Sequence, residues 1–250
     1  MKAKLLTFAL LSSLFLSAHA QNEVYSNVVG MVKLNVPAAS FVFVGTPLNA
    51  QSPISLNDFI GDQLTGGSSL NRGSDQILAW DSLTQSYQTF WKDQNTNEWK
   101  DSNGNIASLE VYAGFGFWVR SKQNVAQELI ISGGVPDTEV VLETKSGFNQ
   151  FGFPYPVEMD INDANFALAA AATGGRSMNR GSDQIMFWDS NTGQYQIFWK
   201  ADGLADETKN GKWLDESSEI AVFIVKPGQG FWFRNKALDS TWEPIIPYNL

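Results

Sequence analysis

The side chains that most often do chemistry in proteins are almost missing from this one. Its 250 residues hold no Cys and one His, His19. His19 lies in MKAKLLTFALLSSLFLSAHA, residues 1–20, which reads as a cleaved secretory signal: Lys2 and Lys4, an apolar run from Leu5 to Leu16, and an Ala18-His19-Ala20 cleavage site. The expected mature chain therefore has no imidazole and no thiol. That excludes Ser-His-Asp triads, thiol nucleophiles and the usual zinc or copper sites, and no cofactor is expected.

Carboxylates remain. Glycoside hydrolysis needs only two Asp or Glu facing each other across a sugar. Asp75 and Asp81 recur as Asp183 and Asp189. Each pair spans six residues across a turn and a strand, a spacing that does not make them face. Recurrence in two copies suits a scaffold better than an active site, so the chain reads as a non-enzyme. Asp93 to Glu98 and Asp101 to Asn105 place oxygens at alternate positions, as calcium would require. Neither keeps the full EF-hand spacing, and the second copy loses the register, so no metal is expected.

Aromatic rings are the other resource. Nine Trp and seventeen Phe are present. Trp80, Tyr87, Trp91, Trp99 and Trp118 recur as Trp188, Tyr195, Trp199, Trp213 and Trp232. Such rings either fill a core or, when exposed, stack on sugar faces. The polar turn carrying Arg72 and Asp75, repeated at Arg180 and Asp183, is the remaining candidate contact. Its structural reading is that Gly73 takes a positive φ, Ser74 or Asp75 holds backbone amides, and Arg72 pairs with a carboxylate.

The elements that carry these residues form a duplication. NRGSDQILAWDSLTQSYQTFWK (71–92) matches NRGSDQIMFWDSNTGQYQIFWK (179–200) at sixteen of twenty-two positions, with an offset of 108. In each copy two runs of branched and aromatic residues flank a turn, which predicts a β-hairpin, with Gly193 left-handed in the second. Both faces of these strands are apolar, so they are buried on both sides or carry an aromatic surface. Further strands are predicted over 28–36, 41–48, 109–112, 117–120, 128–132 and 138–144, with a terminal strand in STWEPII. A short helix is expected in DFIGDQL (58–64), and a clearer one in ANFALAAAAT (164–173), capped by Asn162-Asp163 and stopped by Gly174-Gly175. Gly45 and Pro47 reappear as Gly152 and Pro154.

The fold expected is all-β: two tandem homologous small β-sandwich or partly open β-barrel domains, each with one short helix. The domains are 21–135 and 136–250, split at Gly133-Gly134-Val135-Pro136-Asp137. A single pseudo-symmetric barrel with a shared core is the alternative. YSNVVGMVKLNVPAASFVFVGTPLNA, the DQI…WD…Y hairpin and the GFGFWVR strand are similar to a family of secreted tandem β-repeat proteins of Verrucomicrobia and related bacteria. The similarity covers most of the mature chain. It implies secretion and an all-β fold, and it brings no assigned activity or site residues.

Formal charge is −9 and becomes −11 once Lys2 and Lys4 leave with the signal. An acidic surface disfavours nucleic acid and anionic membranes, and no later apolar run is long enough for a membrane helix. The functional expectation is a secreted envelope or extracellular protein, periplasmic or on the cell surface. It would act by self-association or by contact with another surface protein, with 23–36 and 240–246 as edge donors. A polysaccharide binder using Trp and Tyr is the alternative, and a hydrolase the third reading. Trp80, Tyr87, Trp91 and Trp118, with Trp188, Tyr195, Trp199 and Trp232, are the ring candidates.

Overall fold

A computed structural model describes residues 28–48 and 53–250. Residues 1–20, where a signal is expected, and Glu23–Asn27 of the first expected edge donor lie outside the described residues. The all-β reading holds, and the duplication is visible strand by strand. The first repeat runs β1 (Val29–Val36), β2 (Phe41–Gly45), β3 (Ile54–Ser55), α1 (Leu56–Ile60), β4 (Gln76–Asp81), β5 (Ser86–Asp93), β6 (Glu98–Lys100), β7 (Glu110–Val111), β8 (Gly116–Arg120) and β9 (Gln127–Gly134). The second runs β10 (Leu142–Thr144), β11 (Gly147–Gly152), β12 (Met159–Asp160), α2 (Leu168–Ala171), β13 (Gln184–Asp189), β14 (Gln194–Lys200), β15 (Trp213–Leu214), β16 (Ile224–Val225), β17 (Gly230–Asn235) and β18 (Ser240–Trp242).

Each repeat has one five-stranded antiparallel sheet, ordered β2-β8-β4-β5-β6 and β11-β17-β13-β14-β15. Two-stranded ribbons complete each repeat: β1-β9 and β3-β7 in the first, β10-β18 and β12-β16 in the second. The expected edge donors β1 and β18 are thus each paired inside their own repeat, Val29 opposite Gly134 and Trp242 opposite Leu142.

Alternation assigns the faces. In β4, Ile77 and Ala79 turn into the first repeat's core, with Phe90, Phe117 and Val119 of the same sheet and Leu129 and Ile131 of β9. Leu78 and Trp80 turn the other way, into a separate cluster. The second repeat has its own core, built on Ile185, Phe187, Phe231 and Phe233.

The second helix is shorter than its sequence predicts. Phe166 and Leu168 are both fully buried, and residues two apart on a helix point to opposite sides. The chain breaks between them: Ala167 is left-handed at φ 57°, and only Leu168–Ala171 is helical. Asn162 caps no helix. Its side-chain amide donates to the carbonyls of Trp213 and Ala221, and its oxygen accepts from Trp213 N. α1 does carry a true cap, Ser55 Oγ accepting from Asp58 N.

One recurring residue is costly to bury. Lys200, the counterpart of Lys92, is buried and donates to Gly211 O at 2.6 Å. Burial lowers its pKa to about 8 against 10.5, aided by Lys212 and opposed by Asp202. A depressed folded pKa means that the unfolded chain holds the proton more tightly between the two values. Stability is therefore expected to rise with pH from about 8 to 10.5 and to fall as pH drops through 8. Chemical denaturation across that range measures it, and Lys200→Met should flatten the slope.

Candidate functional site

The recurring polar turn is a clamp inside each repeat. Asp75 and Asp183 are fully buried. Asp75 accepts from Thr65 N at 2.9 Å, Lys122 N at 2.8 Å, Gln127 Nε2 at 2.8 Å and Gln123 Nε2 at 3.2 Å. Asp183 accepts from Thr173 N at 2.7 Å and Lys236 N at 2.6 Å. Burial raises the Asp183 pKa, with those two amides opposing it. These carboxylates tie the loop before the hairpin to the chain leaving β8 or β17 and are not presented to a ligand. Gly73 and Gly181 supply the positive φ, 78° and 79°. Arg72 and Arg180 are exposed on this turn and, among the described residues, make no ion pair.

The other candidate carboxylates are also committed locally. Asp81 caps its hairpin loop by accepting from Leu83 N and Thr84 N, and Asp189 does so from Asn191 N. Asp93 pairs with Lys100 at 2.6 Å and accepts from Asn95 N. Asp101 accepts from Asn103 N and Asn105 N. These turns account for the alternate oxygens that resemble a calcium loop.

The rings divide into two groups. Trp91 and Trp199 are buried braces, their indoles donating to Asp101 O at 3.0 Å and Asp215 O at 2.9 Å. Trp99 and Trp213 are fully buried. Trp80, Trp118, Trp188 and Trp232 instead lie on the outer faces of the two sheets, where the repeats meet. With Phe43, Leu78, Phe148 and Met186 they form one apolar layer shared by both repeats.

Backbone contact makes this seam close. Gly45 at the end of β2 crosses Gly152 at the end of β11. A Cβ on Gly152 would lie 2.4 Å from Gly45 Cα, and one on Gly45 would lie 2.5 Å from Gly152 Cα. Gly45 N donates to Gly228 O and Gly152 N to Gly114 O, both at 2.9 Å, a reciprocal pair. The corner before β8 tucks under the second repeat's first strand, Gly114 against Leu142. The corner before β17 tucks under the first repeat's, Gly228 against Val32 and Leu34.

Openings flank the seam among the described residues. A groove of about 560 Å³ runs beside Lys33, Phe43, Trp188, Asp189, Lys226 and Gln229. Its repeat-related twin, about 380 Å³, lies beside Trp80, Asp81, Tyr112, Glu143, Lys145 and Phe151. Between the sheets is a cavity of about 280 Å³ lined by Phe41, Leu78, Tyr87, Trp118, Trp188 and Tyr195. Tyr87 and Tyr195 are partly exposed at its mouth, 44 % and 37 %. Trp232 Nε1 donates to the Tyr195 hydroxyl at 3.2 Å, leaving that phenol's own hydrogen as a donor. Burial, with Tyr195 nearby, pushes the Tyr87 phenol up to about 12, against a hydrogen bond from Trp118. Burial likewise raises Tyr195. Both phenols therefore stay protonated donors at neutral pH.

The cavity draws on both repeats, with Phe41, Leu78, Tyr87 and Trp118 from one and Trp188 and Tyr195 from the other. Of the ring candidates, Tyr87, Trp118, Trp188 and Tyr195 come together here. Trp80 and Trp232 sit behind them, and Trp91 and Trp199 stand apart. Phe41 and Leu78 complete the lining without having stood out in the sequence; their only signal is the apolar second face of the strands. Comparison of the chain with protein-family models, with curated proteins and with solved structures finds no match in any of the three.

Proposed function

We propose that this is a secreted, non-enzymatic binding protein of the cell envelope or extracellular space, in which the two repeats act as one unit. The observation that carries the reading is the ring-lined cavity at the seam: neither repeat alone has its six lining residues. The committed state of Asp75, Asp81, Asp183 and Asp189 supports the non-enzymatic part, since no two of them face a common space. The acidic charge directs the choice of partner away from nucleic acid and anionic membranes.

The test is Trp emission of the mature protein, titrated with soluble glycans, cationic and apolar small molecules and surface-protein extracts. Trp118 and Trp188 line the cavity, so an occupant should shift or quench emission. A protein whose emission responds to none of them is not a binder at this site.

Self-association is a second reading, favoured by the outer face of the β1-β9 ribbon. Val29 and Met31 are 72 % and 70 % exposed there, beside Ile130. Sedimentation velocity should then show dimers that Met31→Lys disperses. A protein that stays monomeric at high concentration removes this reading.

A further inference from the structure

The aromatic layer follows the repeat, yet its two halves differ. Under the repeat, the cavity's six lining residues map onto Phe148, Met186, Tyr195, Trp232, Trp80 and Tyr87. On that side rings fill the space: Trp232 stands 5.3 Å from Trp80, 5.7 Å from Phe148 and 6.1 Å from Tyr87, and Trp80 stands 6.5 Å from Phe148. On the open side Trp118 is 5.7 Å from Trp188 and 6.2 Å from Phe41. The other two contacts have no equivalent there.

Two differences between the copies account for this. Gln85 clasps the backbone of Phe148, accepting from its N at 2.7 Å and donating to its O at 3.0 Å. Trp80 Nε1 joins the same carbonyl at 2.8 Å, and Trp80 N donates to Gln150 Oε1 at 2.7 Å. In the other half Gly193 stands at the Gln85 position and Phe43 at the Gln150 position, so neither side chain can make these bonds. Trp188 Nε1 is accordingly buried with no hydrogen-bond partner.

The open cavity therefore has an apolar ring lining and two phenol donors at its mouth. An entirely apolar occupant would leave those phenol hydrogens without an acceptor wherever it covered them. An ionised occupant would find no charged side chain in the lining itself, the Arg120 guanidinium being engaged over the Phe41 ring at 5.3 Å. A sugar ring offers what remains: a C–H face for the rings and neutral oxygens for the donors. Trp188 also borders the larger groove, which would let a chain continue past the cavity. Resting on the binding role above, we propose that this cavity seats one uncharged sugar residue of a glycan. There is one such site per chain, because Gln85 holds the repeat-related site shut.

The experiment is calorimetry and Trp emission on the mature protein with cellohexaose, laminarihexaose and mannohexaose. Polygalacturonate and tetramethylammonium are the charged arms. At least one neutral hexasaccharide should bind at one site per chain. Gly193→Gln should supply the missing clasp and weaken binding by about tenfold or more, the equivalent of ~1.4 kcal/mol. Gln85→Gly should raise the stoichiometry toward two. Tyr87→Phe and Tyr195→Phe keep the rings, and each should weaken binding about three- to tenfold as one donor is lost. Two equivalent sites in the unaltered protein, or affinity untouched by Gly193→Gln, would overturn the proposal. Response to tetramethylammonium or polygalacturonate alone would overturn the sugar assignment while sparing the binding role. Silence toward every probe would remove both.

Discussion

Replacing Gly152 by alanine is expected to destabilise the protein by more than about 3 kcal/mol, an unusual cost for adding one methyl group. The new Cβ would lie 2.4 Å from Gly45 Cα and 2.9 Å from both Gly45 C and Thr46 N. All three are backbone atoms in a hydrogen-bonded crossing, so no side chain can swing aside. The chain would have to part at the seam, breaking the bonds from Gly152 N to Gly114 O and from Gly45 N to Gly228 O. Water would then reach Phe43, Trp118 and Trp232 in the shared layer. Denaturant titration should show a lower midpoint, and native Trp emission should move to the red. Gly45→Ala should behave alike, since its Cβ meets Gly152 Cα at 2.5 Å. Gly134→Ala is the control: nothing lies within 4 Å of its Cβ, and the change should stay within about 0.5 kcal/mol. Wild-type stability in Gly152→Ala would mean that the repeats do not dock through this crossing.

Asp75→Ala is the second large effect, at about 2–4 kcal/mol. The substitution removes the shared acceptor of Thr65 N, Lys122 N and two glutamine amides and leaves the two backbone donors facing an apolar methyl at a fully buried position. Asp183→Ala should cost less, because only Thr173 N and Lys236 N bond its carboxylate. Asp75→Asn keeps the shape and one acceptor, and its cost should fall between zero and that of alanine. Thermal denaturation of the three variants checks the order. A folded, stable Asp75→Ala that fails to bind a ligand would restore the turn as a contact loop and sink its role as a clamp.

Both effects concern residues that the sequence displays twice, yet it displays them with unequal clarity. Asp75 and Asp183 stand in an identical NRGSDQI string, and the positive φ at Gly73 and Gly181 follows from residue type alone. Gly45 and Gly152 also recur, but a glycine at the end of a strand suits a turn as readily as a crossing of two backbones. Only the position of the other repeat separates these. The helix expected over 164–173 is cut down to Leu168–Ala171 for a related reason. Propensity along an alanine-rich run is local, whereas Phe166 is drawn in against Phe153, Phe231 and Trp242 while Leu168 is buried in the same core.

What the amino acids settle by themselves is the local and periodic part. They determine a duplicated unit, hairpins over 76–93 and 184–200, an all-β body, and repeats that hold neither His nor Cys. These follow because backbone preference, turn stereochemistry and side-chain identity act over a few residues. Tertiary structure decided which apolar face is core and which is seam, because alternation is blind when both faces are apolar. It also decided that two nearly identical halves end unequal. One glutamine at 85, against glycine at 193, reaches across to a backbone sixty-three residues away, and that reach exists only once the repeats have docked.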